Sequence, residues 1–192
     1  MRRVVLLATL ALVLPLAAWA DSSIDISNAG GTITGSSAGL SLTGSTLFKY
    51  GTIIAPDLGT VSFTTGAFAT GDAQMGGTLK PGGTFTITGN GTNGVPNGVI
   101  FSGTFTSATW TLVTLSNGTN NYTLSGGVMG SNGSVAATVQ VTVNTGKGFF
   151  TGSVDLSSGD TNLTVPEPGT LGLLGTGLVG VAGALWRKLH IG

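Results

Sequence analysis

The chain of 192 residues lacks cysteine, and it contains one histidine, one glutamate and few charges of either sign. Without cysteine it cannot form disulfides or use a thiolate as a nucleophile or metal ligand. His190 and Glu167 both lie within residues 165–192. The rest of the chain therefore cannot assemble a Ser-His-Asp or Cys-His catalytic group, or a zinc site built on imidazole or thiolate.

Long uncharged apolar runs occur only towards the two ends, at residues 4–16 and 171–186. The first run follows two arginines and is short for a membrane span. Small residues follow it at the two positions that a signal peptidase reads. We therefore expect residues 1–20 to be a secretory signal peptide. Ala18 and Ala20 would flank the cut, and Asp21 would open the mature chain.

The body of the chain, residues 21–164, has the length of one domain. Its six aspartates face three lysines, which leaves a net charge of −3. A surface of this sign does not attract nucleic acid. A domain of this size buries roughly two-thirds of its surface on folding, so it needs no disulfide or metal to be stable. We expect neither a nucleic-acid partner nor a cofactor.

Alternating apolar and polar residues predict β-strands throughout the body. Val139, Val141 and Val143 alternate with Thr138, Gln140 and Thr142. This two-residue period is typical of a strand with one buried face. Residues 84–88 repeat the pattern, and no stretch of the body has a helical period over ten residues. The body is therefore predicted to be all-β.

The phase of the alternation changes between residues 99 and 115. Phe101 and Phe105 are odd-numbered, whereas Ala108, Trp110 and Leu112 are even-numbered. A one-residue slip reverses the face of every later side chain, so a bulge or tight turn is predicted near Ser107. Residues 90–98 are predicted to form a loop. Asn-Gly pairs, which favour tight hairpin turns, begin at Asn90, Asn93, Asn97, Asn117 and Asn132.

We expect the body to be an antiparallel β-sandwich or barrel of about eight to ten strands. It would be flanked by the helix of the signal peptide and by a C-terminal transmembrane helix. A β-solenoid is the alternative, because an apolar residue followed by Ser/Thr-Gly recurs along the chain. These recurrences have no fixed period, which a solenoid requires.

Acid–base chemistry in the body would depend on aspartate alone. The candidates are Asp25, Asp57, Asp72, Asp155 and Asp160. A glycoside hydrolase would need two of them close together, one with a raised pKa. We expect instead that they cap turns on the surface. Asp155 and Asp160 lack the dense oxygen ligands of a calcium loop, so no metal site is predicted.

Aromatic side chains could form a sugar-binding platform if they were exposed. Tyr50, Trp110 and Tyr122 are the candidates. However, Trp110 is in phase with Ala108 and Leu112, which favours a position in the core. Phenylalanines are also expected in the core; they are Phe48, Phe63, Phe85, Phe101, Phe105, Phe149 and Phe150.

The C-terminal segment begins with two prolines, Pro166 and Pro168, which favour extended backbone around Glu167. Such a stiff segment suits the cleft of a protease. Residues 171–186 carry no charge and would span about 24 Å as a helix, a marginal membrane span. Arg187 and Lys188 follow, and the positive-inside rule places them in the cytoplasm.

Together, Val165-Pro166-Glu167-Pro168, the glycine-rich apolar run 171–186 and the basic pair Arg187-Lys188 resemble a PEP-CTERM sorting signal. The resemblance covers residues 165–192. It implies recognition and removal by an integral-membrane exosortase in a Gram-negative bacterium that makes extracellular polysaccharide. The basic pair is thinner than is usual in the family, and residues 189–192 follow it.

The leading hypothesis is an exported, non-enzymatic protein of the cell surface or extracellular matrix, associated with exopolysaccharide or biofilm. Signal peptidase and exosortase would be transient partners, and the helix 171–186 would hold the precursor in the inner membrane. A carbohydrate-binding module is the alternative. An Asp-dependent glycoside hydrolase is the third hypothesis. The sequence does not identify a ligand, an oligomeric state or the cleavage position.

Overall fold

The computed structural model describes residues 22–131 and 136–165, which form eleven β-strands and no helix. None of the described segments is a helix able to cross a membrane. The predicted all-β class is confirmed. The expected signal peptide, with Ala18, Ala20 and Asp21, and the expected helix 171–186 lie outside the described residues.

The strands range from 4 to 18 residues in length, and most are joined by tight connections. Their bounds are β1 Ser22–Ala29, β2 Thr32–Ser36, β3 Gly39–Tyr50, β4 Ile53–Thr64, β5 Phe68–Asp72, β6 Gly76–Leu79, β7 Gly82–Asn90, β8 Asn97–Thr114, β9 Asn120–Gly130, β10 Ala136–Asn144 and β11 Ser153–Val165.

All eleven strands belong to one sheet, and the pairings return to their starting strand. The order is β8-β7-β4-β3-β1-β11-β10-β9, and β9 pairs with β8 again. β2 bridges β3 and β11, while the β5–β6 hairpin joins the sheet through β8. The pairings with a described register are all antiparallel. This architecture differs from a β-solenoid, in which successive rungs repeat along an axis.

One face of the sheet carries the apolar core. On β10 the side chains of Ala137, Val139, Val141 and Val143 are buried, whereas Thr138 and Gln140 are exposed. Phe85 and Ile87 on β7 follow the same rule. The buried side chains of the described strands form a single cluster. The alternation read from the sequence is therefore confirmed.

The change of phase in β8 is a β-bulge. Against β9, the register shifts between Phe105 and Ser107, so Thr106 is the additional residue. Phe101 and Phe105 are buried before the bulge, and Ala108 and Trp110 are buried after it. The chain continues as one strand of 18 residues, because a bulge reverses the phase without ending the strand.

Three predictions need correction. The described sheet has eleven strands rather than about eight to ten, because β2 and the β5–β6 hairpin add to the circuit of eight strands. The loop predicted at 90–98 is shorter, because Asn97 and Gly98 pair with Asn90 and Gly89 and thereby belong to β8. Phe149 is 45% exposed, and Phe48 is half-buried. Phe149 precedes β11 in a connection whose inward position is taken by its neighbour, Phe150. The other five phenylalanines expected in the core are buried as predicted.

Candidate functional site

The five described aspartates are all exposed, and two of them organise turns. Asp57 accepts a hydrogen bond from the Gly59 amide at 3.0 Å. Asp72 accepts from the amides of Gln74 and Met75 at 2.8 and 2.7 Å. Side-chain acceptors in such Asx turns stabilise the local backbone. The expected capping role is therefore present at both residues.

Asp25 and Asp160 have different partners. Asp25 forms an ion pair with Lys49, with Nζ and Oδ2 2.6 Å apart. Asp160 accepts a hydrogen bond from the Ser27 hydroxyl at 2.9 Å. Asp155 lies at the start of β11, paired with Thr32. Within the described part of the chain, no three side chains of His, Cys, Asp or Glu are grouped to hold a metal ion.

Two of the three candidate platform aromatics lie inside the protein. Trp110 is 1% exposed and Tyr122 is fully buried, and their rings stack with centroids 5.3 Å apart. Phe150 packs edge-on against both rings. Tyr50 is half-buried against the same core. Trp110 and Tyr122 therefore cannot serve as a platform, because a sugar ring cannot stack on buried rings.

These aromatics also fasten the turn between β5 and β6. The Trp110 indole N–H donates to the Ala73 carbonyl at 2.8 Å. The Tyr122 hydroxyl donates to the Gln74 carbonyl at 2.6 Å and accepts from the Phe150 amide at 3.0 Å. Buried polar groups need such partners. Their role is therefore structural: they hold two connections onto the end of the core.

An open depression crosses β9, β10, β11 and β1, and we call it the polar trough. Its volume is about 490 Å³. Its lining includes Asp25, Ser125, Gly127, Gln140, Asp160 and Asn162. Gly127 also lies close to β8, since a Cβ there would be 3.2 Å from the Thr106 hydroxyl.

Strand register assembles the trough from residues far apart in the chain. Gln140 on β10 is paired with Ser125 on β9 and with Asp160 on β11. Thr138, on the same exposed face, is paired with Gly127 and Asn162. The surface thus offers amides, hydroxyls and carboxylates, which can donate to and accept from a hydroxyl-rich ligand.

The sequence did not identify this constellation. It predicted that Thr138 and Gln140 face outward, but the neighbours of Gln140 depend on pairings with β9 and β11. A clue was present in Gly126-Gly127, where two glycines interrupt an otherwise bulky strand. Glycine within a strand often marks a close approach of another group.

The predicted sorting residues begin where the described sheet ends. Val165 is the last residue of β11. Pro166, Glu167, Pro168, Arg187 and Lys188 lie outside the described residues. The residue before the motif, Thr164, is paired with Ala136 on β10. The final strand of the sheet therefore leads directly into the proline-containing segment.

Comparison with known proteins supports the resemblance found in the sequence. A family model described as the PEP-CTERM protein-sorting motif matches residues 164–188. This motif implies export to the cell surface through an exosortase, which is a membrane protein. No curated protein and no solved structure shows a significant similarity to the chain.

Proposed function

Since the chain carries a PEP-CTERM protein-sorting motif, we propose that it is a non-enzymatic protein of the bacterial cell surface or extracellular matrix, associated with exopolysaccharide or biofilm. The observation that carries the proposal is the match at residues 164–188, which begins on the last two residues of β11. Removal of the segment after β11 leaves all eleven strands in the mature protein.

The processing route follows from the two end segments. Signal peptidase would cut after Ala20, and residues 171–186 would hold the precursor in the inner membrane of a Gram-negative cell. Arg187 and Lys188 would remain in the cytoplasm. The exosortase would then recognise Pro166, Glu167 and Pro168 and release the body outside.

The proposal that the body is not an enzyme rests on what its side chains do. It contains no histidine, cysteine or glutamate. Asp57 and Asp72 hold turns, Asp25 is paired with Lys49, and Asp160 accepts from Ser27. A hydrolase of the two-carboxylate type needs one carboxyl that stays protonated to act as the acid. Exposed carboxylates that serve local contacts do not favour that role.

For the architecture, we propose a flattened barrel. The closed circuit of pairings supports barrel closure, and the single core cluster supports walls that pack face to face as in a sandwich. A flattened barrel combines the pairing circuit of a barrel with the single core of a sandwich.

The sorting proposal is tested by fractionating cells and determining the mature C-terminus by mass spectrometry. We expect a surface or matrix protein that ends between Val165 and Gly192. A variant with Pro166→Ala, Glu167→Ala and Pro168→Ala should accumulate uncut in the inner membrane. His190→Ala, outside the matched residues, is the control and should be processed normally. An uncut wild-type protein in the inner membrane would refute the proposal.

The polar trough supports a second candidate function, which is carbohydrate binding without an aromatic platform. Amide and carboxylate groups are common ligands for sugar hydroxyls, because amides donate and accept hydrogen bonds and carboxylates accept them. Asp25 and Asp160 lie in the trough, and the body carries a net charge of −3. Like charges repel, so the ligand would be a neutral or amino polysaccharide rather than an acidic one.

Affinity electrophoresis in gels containing a neutral glucan, chitosan or alginate tests this second function. Binding is expected for the first or second polymer, and the double variant Gln140→Ala/Asn162→Ala should lose at least about tenfold in affinity, the ratio given by about 1.4 kcal/mol. The control, Thr60→Ala/Ser62→Ala, changes exposed side chains of β4 outside the trough. Retention by alginate alone, or equal loss in both variants, would contradict trough binding.

A further inference from the structure

Asn-Gly pairs contain the elements of a spontaneous reaction. The backbone nitrogen of the glycine can attack the side-chain carbonyl carbon of the preceding asparagine, because glycine has no side chain to block the approach and a permissive backbone. Four of the five pairs lie in the described chain, beginning at Asn90, Asn93, Asn97 and Asn117. Their surroundings differ, and the difference predicts which one reacts.

Three of these pairs are restrained. The Asn90 amide is held at both ends, since Nδ2 donates to the Asp57 carbonyl and Oδ1 accepts from Thr92. At Asn117, Oδ1 accepts from the Thr119 amide, and the Gly118 nitrogen donates to the Leu115 carbonyl at 2.8 Å. Asn97 and Gly98 lie in β8, paired with Asn90 and Gly89.

Asn93 and Gly94 have no such restraint within the described part of the chain. They are the central residues of a tight turn closed by a hydrogen bond from the Val95 amide to the Thr92 carbonyl at 2.9 Å. Their φ values, 53° and 86°, are those of a type I′ turn. Both residues are exposed, and within the described residues neither the Asn93 amide nor the Gly94 nitrogen has a hydrogen-bond partner. No atom lies within 4 Å of a Cβ placed on Gly94.

We propose that Asn93 is a modification site at which the folded protein deamidates spontaneously. The Gly94 nitrogen bonds to the Asn93 Cγ and loses its proton to water, and the side-chain nitrogen leaves as ammonia. The product is a five-membered cyclic imide. Water then opens one of its two carbonyl–nitrogen bonds. Opening at Cγ gives aspartate, and opening at the backbone carbonyl gives isoaspartate.

Both products change the tip of the β7–β8 connection. Each adds a carboxylate to a body that already carries a net charge of −3. Isoaspartate also inserts a methylene into the backbone of a turn that is anchored by Val95, which is 3% exposed. The modification therefore produces an acidic form of the protein that accumulates with age. It is independent of the proposed function.

The test is incubation of the purified protein at mildly alkaline pH, followed by peptide mapping with detection of isoaspartate. Asn93 and Asn97 are matched, because both are followed by Gly-Val. In the folded protein Asn93 should react at least about tenfold faster than Asn97, Asn90 or Asn117, the ratio given by about 1.4 kcal/mol of barrier. In denaturant the rates of Asn93 and Asn97 should converge.

Two variants test which asparagine is the source of the acidic form. Among the described Asn-Gly pairs, Asn93→Ser should remove the main source of isoaspartate, whereas Asn117→Ser should leave the rate at Asn93 unchanged. Faster reaction at Asn90, Asn97 or Asn117 in the folded protein would overturn the proposal. The proposal would also be overturned if the deamidation rates of Asn93 and Asn97 differed as much in denaturant as in the native state.

Discussion

At the scale of single residues, the Tyr122 hydroxyl joins two connections to the core. It donates to Gln74 and accepts from the Phe150 amide while the ring is fully buried. Tyr122→Phe keeps the stacking on Trp110 but removes the hydrogen-bond partner of the buried Phe150 amide. An unsatisfied buried group costs about 1–3 kcal/mol. The free energy of unfolding, measured by urea denaturation, should therefore fall by about 1–3 kcal/mol.

Tyr50→Phe is the control for this prediction. Tyr50 is half-buried, and its hydroxyl has no hydrogen-bond partner among the described residues. Its replacement should change the free energy of unfolding by less than about 0.5 kcal/mol. Equal losses in the two variants would show that the hydrogen bonds of Tyr122 contribute nothing specific.

Thr161 is the opposite case, a buried hydroxyl without a partner. It is 1% exposed, and its Oγ1 has no hydrogen bond within the described part of the chain. Thr161→Val replaces the hydroxyl with a methyl group of similar size. Because an unpaired buried polar group is unfavourable, we expect the variant to be more stable by about 1 kcal/mol.

Thr138→Val, on the exposed face of the neighbouring strand, is the matched control and should change stability little. Thermal or urea denaturation gives both values. If Thr161→Val were instead destabilising, the hydroxyl would have a hydrogen bond in solution, for example to an ordered water.

At this scale the sequence predicted burial better than it predicted contacts. The phase shared by Trp110 and Ala108 placed the indole correctly in the core. It could not distinguish Phe149 from Phe150, because neither lies in an alternating run. The bonds from Trp110 and Tyr122 to residues 73 and 74 connect positions far apart in the sequence, which no local pattern reveals.

At the scale of elements, the β-bulge in β8 determines which face each half of the strand presents to the core. The bulge at Thr106 keeps Phe101 and Phe105 on the same face as Ala108 and Trp110. Deleting Thr106 should turn one half of the strand outward. Each large apolar side chain exposed in this way costs about 1.5–3 kcal/mol, and several together approach the total stability of a domain.

We therefore expect the deletion to prevent folding, as judged by circular dichroism and proteolysis. Thr106→Ala is the control, because it keeps the extra residue and removes only the hydrogen bond from the hydroxyl to the Gly127 carbonyl. That variant should fold, with a loss of at most about 1 kcal/mol. A folded deletion variant with native Trp110 burial would contradict the role assigned to the bulge.

The bulge shows what the sequence determines for an element and what it does not. The alternation and its change of phase are local, so both were predictable near Ser107. The partners of β8 were not, since β6, β7 and β9 pair with different stretches of it. For the same reason the polar trough was missed: Gln140 and Asp160 meet only through the register of β10 and β11.

At the scale of the whole molecule, the circuit of strand pairings leaves few free strand edges among the described residues. Among the described strands only β5 has a single hydrogen-bonded neighbour. Its edge is short, and it is interrupted by Gly71 with φ of 70°. Short, irregular edges oppose pairing with another chain. This property suits a protein that would be concentrated at a surface or in a matrix.

Stability should be distributed unevenly over the described sheet. The β5–β6 hairpin has one buried side chain, Leu79, and its turn is held by the bonds from Trp110 and Tyr122. Segments with few buried contacts open at a lower free energy than the global transition. Hydrogen exchange followed by mass spectrometry should therefore show fast exchange in residues 68–79 and slow exchange in β10, which has a neighbour on each side.

The Tyr122→Phe variant links this pattern to its cause. Loss of the hydroxyl should accelerate exchange in the hairpin more than in β10, because it releases the turn directly and lowers global stability only in part. Tyr50→Phe should leave the pattern unchanged. Uniform exchange across the described strands, or protection of the hairpin equal to that of β10, would mean that the protein opens only as a single cooperative unit.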